Sequence, residues 1–312
     1  MFRLKLIPDN SSFNFLNLFN FGFVFSTILI VLSIGSFLFQ GLNLGIDFKG
    51  GILIEAKSKF GGANVQQLRS ELAGSSFGEV SIQLFGAEDE VLIRIQKQEG
   101  DEQAQIKAIK DVNAIISDSY SVRRTEFVGP TIGAELTQKG ILAVISALIA
   151  IMIYIWFRFE WQYSLAAILA LSHDVISTIG FFSITSFEFN LATIAAILTI
   201  SGYSINDTVV VFDRIRENFR RYKSWEQNDI INKSLNETLS RTVMTSVTTA
   251  LALIAIMTFG GPVLRDFAAA MLWGVLIGTY SSIFIAAGVL TYVALNRSGD
   301  DNSDISKPEY EE

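Results

Sequence analysis

Apolar residues along this chain are gathered into six long runs, at 21–39, 140–157, 161–187, 189–212, 242–264 and 267–295. A helix needs roughly 20 mainly apolar residues to cross a hydrocarbon layer about 30 Å thick, because each residue advances it by about 1.5 Å. The six runs meet that requirement and predict six membrane-crossing helices. Two are interrupted by ionisable residues: 161–187 holds His173 and Asp174, and 189–212 holds Asp207. The first run follows Arg3 and Lys5, as the core of a signal peptide would, but it is longer than such a core and no small-residue cleavage site closes it. It is read as a retained anchor.

Between the first and second runs the pattern changes. Residues 51–57 (GILIEAK), 79–85 (EVSIQLF), 91–97 (VLIRIQK) and 121–128 (SVRRTEFV) alternate or carry β-branched runs, the signature of strands. Residues 64–73 and 101–117 place apolar side chains three and four apart, which predicts helices. The order strand, helix, strand, strand, helix, strand is that of a ferredoxin-like unit, with Ala87, Glu88, Asp89 and Glu90 expected to form its central turn. The predicted fold is therefore an α-helical integral membrane protein of six transmembrane helices, with an α+β ferredoxin-like extracytoplasmic domain at 40–139 between helices 1 and 2. The segment 299–312, with six acids against one lysine, makes 296–312 an expected disordered tail.

Composition sharpens this reading. With 50% hydrophobic and 18% charged residues and a mean hydropathy of +0.40, the balance is that of a membrane chain rather than a soluble enzyme. The absence of cysteine excludes disulfides, iron–sulfur clusters and thiol nucleophiles. A net charge of −7 provides no basic field for nucleic acid. Lys and Arg concentrate between the fourth and fifth runs, at Arg214, Arg216, Arg220, Arg221, Lys223, Lys233 and Arg241. The positive-inside rule makes 213–241 a cytoplasmic loop, and an even number of spans then puts 1–20 and 296–312 on the same side.

Ionisable groups within a bilayer cost about 2.5–3.5 kcal/mol each on insertion scales, so those that persist face a cavity or a partner. Asp207 lies inside the cytoplasmic end of the fourth run and Arg241 at the mouth of the fifth, where two antiparallel helices bring them to similar depth. An acid paired in one state and released in another loads and unloads a proton; a permanent ion pair is the plainer alternative. His173, the one histidine, and Asp174 either relay protons or bond across helices to hold the bundle. Adjacent helical residues point about 100° apart, so the two are not expected to touch. Thr245, Thr248 and Thr249 follow Arg241 along one face, as a track for water or as hydroxyls bonded to their own helix. Ala270, Gly274, Gly278, Ser282 and Ala286 recur every fourth residue, a small-residue face for close helix packing. GIDFKGG (45–51) reads physically as a glycine-flanked turn into the first strand. A serine hydrolase built from Ser201 or Ser204 with His173 lacks a nucleophile motif, and a free-standing small-solute transporter lacks a visible internal repeat.

Several of these stretches together resemble the SecD/SecF family of bacterial protein-export membrane subunits, on its SecF side. They are GIDFKGG, FVGPTIGAEL (127–136), LSHDV (171–175), GYSINDTVVVFDRIREN (202–218) and FGGP (259–262). The likeness covers nearly the whole chain. It implies the resistance-nodulation-division fold, of which this chain supplies one six-helix half and SecD the other. It further implies association with the SecYEG channel and YajC in the bacterial inner membrane, and proton flow driving the outer domains to move translocating polypeptide, with no cofactor and no covalent catalysis. Carried over by position, Asp207 and Arg241, with Asn206 in the same motif, match the proton-coupling group, while His173 and Asp174 match a motif of relay or structural role.

Overall fold

The computed structural model describes residues 12–73, 77–78, 80–98, 100, 102–260 and 262–295. The acidic tail, Arg3 and Lys5 lie outside the described residues. A long helix, α1 (Leu16–Gln40), is followed by a single helical turn, α2 (Ile46–Lys49), and then by β1 (Gly51–Ser58), α3 (Val65–Ala73), β2 (Val80–Phe85), β3 (Ala87–Ile95), α4 (Glu102–Ile116) and β4 (Tyr120–Val128). Five further long helices follow: α5 (Pro130–Arg158), α6 (Trp161–Thr185), α7 (Leu191–Arg221), α8 (Gln227–Phe259) and α9 (Pro262–Ser281), the last running through a π-helical turn at Ser282–Ala286 into α10 (Ala287–Leu290). Among the described residues six helices are long and apolar enough to cross a membrane, with α9 and α10 forming the last.

The sheet is antiparallel throughout, in the order β2-β3-β1-β4, which is the ferredoxin-like arrangement. Alternation decides its faces. Ile52, Ile54 and Ala56 pair with Ile95, Ile93 and Val91, and together they pack beneath Leu68 and Leu72 of α3 and Val112 and Ile116 of α4. Leu53 and Leu92 point the other way and meet Ile46 of α2. The central turn is tighter than the acidic run implied. Gly86 alone makes it, at φ 82°, and Ala87–Glu90 already belong to β3. Those acids have a cross-strand partner, since Lys57 Nζ lies 2.9 Å from Asp89 Oδ2. Hairpin twist favours a glycine at positive φ over four strand-competent residues.

In the bundle α6, α7 and α9 form the interior, while α1, α5 and α8 turn most of their residues outward. The small-residue face of α9 lies against α7 in parallel register. A Cβ on Gly274 would strike Ile200, one on Gly278 would come within 3.0 Å of Ser204 Cβ, and Ser282 Oγ is 2.9 Å from Thr208 Oγ1. Small residues let the backbones approach where lipid offers no hydrophobic drive to associate. Gly180 of α6 accommodates Ser33 of α1 in the same way.

Helices also reach beyond the apolar runs. The expected loop 213–241 is mostly helix, because α7 continues to Arg221 and α8 starts at Gln227. Ile215, Phe219, Ile230, Ile231 and Leu235 keep the helical period of buried positions past the charged residues. Polar bonds close the hairpin, with Arg214 Nε donating to Glu237 at 2.7 Å on its surface and Asn218 Nδ2 donating to Ser234 at 2.9 Å in its interior, while Arg158 of α5, 2.8 Å from Asp213, ties α7 to α5. At the other end α5 begins ten residues before position 140 and carries the seat of α2, where a Cβ on Gly133 would stand 3.1 Å from Phe48 O.

Gly278→Leu is expected to force α7 from α9 and cost about 1–3 kcal/mol, as overpacking does. Gly35→Ala, at a position inside α1 with nothing within 4 Å of the new Cβ, is expected to cost nothing and to raise stability by up to about 1 kcal/mol through helix propensity. Thermal unfolding of the detergent-solubilised protein measures both.

Candidate functional site

Asp174 lies on α6 at the centre of the bundle and is fully buried. Ser204 of α7 donates to its Oδ2 at 2.5 Å and Ser281 of α9 donates to the same oxygen at 2.7 Å. His173 Nδ1 stands 3.0 Å from Oδ1. The expectation that these neighbours do not touch is therefore corrected. The 100° offset separates their Cβ directions, but the imidazole turns about its own torsions to reach a carboxylate that α7 and α9 hold still. Both carboxyl oxygens are therefore engaged, Oδ2 by two serines and Oδ1 by the imidazole. His173 Nε2 then remains buried without a partner, and the ring lies 6.1 Å from that of Tyr280. Tyr280 in turn donates to Gly22 O of α1 at 2.6 Å. One carboxylate thus joins α6, α7 and α9, and its histidine adjoins a tyrosine that holds α1.

Asp207 sits one turn further along α7 from Ser204 and is 4% exposed. Its Oδ2 is buried with no hydrogen-bond partner. Arg241 lies within electrostatic range, yet no ion pair joins the two among the described residues. Arg241 is exposed in the middle of α8, just before its apolar stretch, and Asn206 and Gly202 are exposed on α7. The structure therefore brings Asp207, Asn206 and Arg241 to one region, with the acid turned inward and the amide and guanidinium outward. The hydroxyl track resolves partly into self-bonding: Thr245 donates to Thr242 O at 2.9 Å and Thr248 to Met244 O at 2.8 Å. Thr249 instead receives a bond from Tyr203 OH at 3.3 Å.

The hydrolase geometry is absent, since Ser201 donates to Ile197 O at 2.8 Å and Ser204 to Asp174 rather than to His173. Ser281 and Thr208 are network members that sequence reasoning missed. Their signal was the regular spacing of α9, which places Ser281 and Ser282 level with Ser204 and Thr208.

A second cluster lies where the sheet meets the bundle. The turn between α6 and α7 is clamped by the glycine motif: Gly45 N donates to Phe189 O at 2.9 Å, Phe189 N to Asn43 O at 2.8 Å, and Leu191 N to Asp47 Oδ2 at 2.9 Å. GIDFKGG is thus a joint. Its last glycine adopts φ 130°, and a Cβ there would stand 2.6 Å from Ile95 O. Arg94 of β3 pairs with Glu188 in the same turn. Burial pushes the Glu188 carboxyl above the usual glutamate range, more than the Arg94 guanidinium lowers it. This pair was invisible to sequence reasoning, because its members are 94 residues apart.

A family model described as protein export membrane protein SecD/SecF, C-terminal, matches residues 108–296, and one for the SecD/SecF GG motif matches residues 35–59. A protein translocase subunit SecF from Rickettsia akari is 44% identical over 301 residues, covering 94% of this chain and 96% of the relative. A subunit of the same description from Cereibacter sphaeroides is 42% identical over 307 residues, covering 96% and 94%. The crystal structure of SecDF, a translocon-associated membrane protein from Thermus thermophilus, aligns over 92% of this chain with a TM-score of 0.82 at 36% identity. This chain spans 39% of the length of that SecDF chain.

Removing the Asp174 carboxylate strands the Ser204 donor in the bundle centre and leaves Ser281 only the 3.1 Å bond to Gly278 O of its own helix. Asp174→Ala is expected to destabilise by about 1–3 kcal/mol per group left unsatisfied, and Asp174→Asn by less. The order of their unfolding temperatures in detergent checks this.

Proposed function

The chain belongs to the SecD/SecF family, on its SecF branch, and we propose that it forms one half of a proton-driven export machine whose other half is SecD. In this reading the complex sits in the bacterial inner membrane beside the SecYEG channel, with YajC as an accessory and lipid around it. The sheet domain lies outside, both termini lie in the cytoplasm, and the emerging polypeptide is moved in the late stage of translocation. No bond in the substrate is made or broken, and no cofactor takes part.

The observation that carries the reading is Asp207, a carboxylate inside a membrane-length helix with one oxygen left unpaired. Beside it, Asn206 and Arg241 are exposed on helices that are otherwise apolar over membrane length. A guanidinium or amide facing lipid is unfavourable, so this face calls for a second protein of matching polarity. A proton arriving at Asp207 from that interface neutralises the acid, weakens its attraction to Arg241 and changes the preferred packing of α7 against the facing half. One charge crossing 100 mV contributes about 2.3 kcal/mol, so a membrane near 200 mV offers roughly 4–5 kcal/mol per proton. That is enough to shift a two-state equilibrium by about three decades.

Asp207→Asn is expected to leave insertion and SecD binding intact and to abolish proton-dependent late export. Export kinetics are followed in vesicles with and without a proton gradient. Normal kinetics at normal protein level would refute the role.

A further inference from the structure

We propose that the Arg94–Glu188 pair is a strut that carries movement of the α6–α7 turn into the sheet domain, and that it stays closed throughout the working cycle. The inference rests on the reading of Asp207 as the proton-coupling acid.

Force needs a stiff route from α7 to the sheet; the glycine joint supplies one at the turn itself, and beside it the boundary opens. A cavity of about 410 Å³ separates the lower face of the sheet, including Leu53, Glu55 and Leu92, from the turns at Phe187 and Arg265. The sheet does not rest on the bundle there. Arg94 and Glu188 form a direct side-chain bond across that boundary, and both side chains are mostly shielded, at 17% and 16% exposure. Arg94 stands in β3 opposite Leu53 of β1 and Ser81 of β2, so a load applied through it enters the interior of the sheet rather than an edge.

Glu188 is equally well anchored. Its N–H donates to Asp266 Oδ2 at 3.3 Å and its carbonyl accepts from Thr193 Oγ1 at 3.2 Å. Asn190, two residues on, caps α7 through reciprocal bonds with Thr193. A Cβ on Gly45 would come within 2.5 Å of Glu188 Oε1, so the motif closes over the carboxylate and holds its direction. Glu188 therefore moves with the first turn of α7. Asp207 lies on the same continuous helix, about 24 Å from that turn at about 1.5 Å per residue. A rigid element biased at one end and bonded at the other supplies a physical route for coupling.

A releasing latch would leave one charge shielded from water without its counterion at each opening. It would also need an alternative partner for Arg94, whose Nε is already buried without one. The geometry favours a permanent connection.

The test uses the full chain in its complex with SecD, in vesicles bearing a proton gradient. Arg94→Ala and Glu188→Ala are each expected to lower proton-driven export by about tenfold, within the range of coupling measured along physical networks. In both variants the infrared signature of Asp207 ionisation is expected to be unchanged, a result that general loss of structure would not produce. The exchange Arg94→Glu with Glu188→Arg is expected to restore export. Since the chain has no cysteine, Arg94→Cys with Glu188→Cys joined by a short bis-maleimide tests permanence directly, and the cross-linked complex is expected to retain export. Export blocked by the cross-link, or unaffected by both alanine variants, overturns the strut; so does a charge exchange that assembles normally and fails to restore export. Asp207→Asn run in parallel separates the two ideas. Normal export there removes the coupling reading itself, whereas a dead Asp207→Asn with fully active alanine variants removes the strut alone.

Discussion

A carboxyl group buried in the centre of a helix bundle is costly unless the protein engages its oxygens in hydrogen bonds. Asp174 meets this condition through three side chains, two of them on other helices. The positions of α6, α7 and α9 follow, since each must present its donor or acceptor at one depth. The glycine-and-serine ladder between α7 and α9 lets the backbones come close enough for those bonds to be made. The π-helical turn begins at Ser282, immediately after the Ser281 that bonds Asp174. Widened turns of this kind are frequent at functional positions.

Two acids on neighbouring helices of one bundle, about one turn apart in depth, have opposite surroundings: Asp174 is bonded at both oxygens, while Asp207 keeps a bare oxygen beside the exposed face of Asn206 and Arg241. The saturated acid holds helices together and keeps α7 in place, while the acid one turn on is held by no bond at Oδ2.

The sheet domain is tied to the bundle largely through backbone hydrogen bonds. GIDFKGG places two glycines at positive φ where β1 begins and bonds the α6–α7 turn through Gly45 to Phe189 O and through Asp47 to Leu191 N. The motif thus connects α1, the sheet and the helices bearing both acids. Its spacing marks a turn, but what the turn touches depends on residues more than 130 positions later.

Periodicity alone was enough for the six membrane helices, the βαββαβ order and the small-residue face of α9, because each depends on local repeats that apolar solvent or a packed sheet imposes on neighbouring residues. Ionisable residues inside apolar runs marked Asp174 and Asp207 for the same reason. Elsewhere local rules misled: an acidic run looked like a turn where Gly86 sufficed, a charged stretch looked like a loop where buried Ile215, Phe219 and Leu235 sustained a helical hairpin, and helical geometry seemed to part His173 from Asp174. Tertiary structure decided which acid is saturated, that Arg241 and Asp207 stand unpaired, and that Arg94 meets Glu188. Pairing at a distance is set by the packing of whole helices, and no local repeat in the chain encodes the partner.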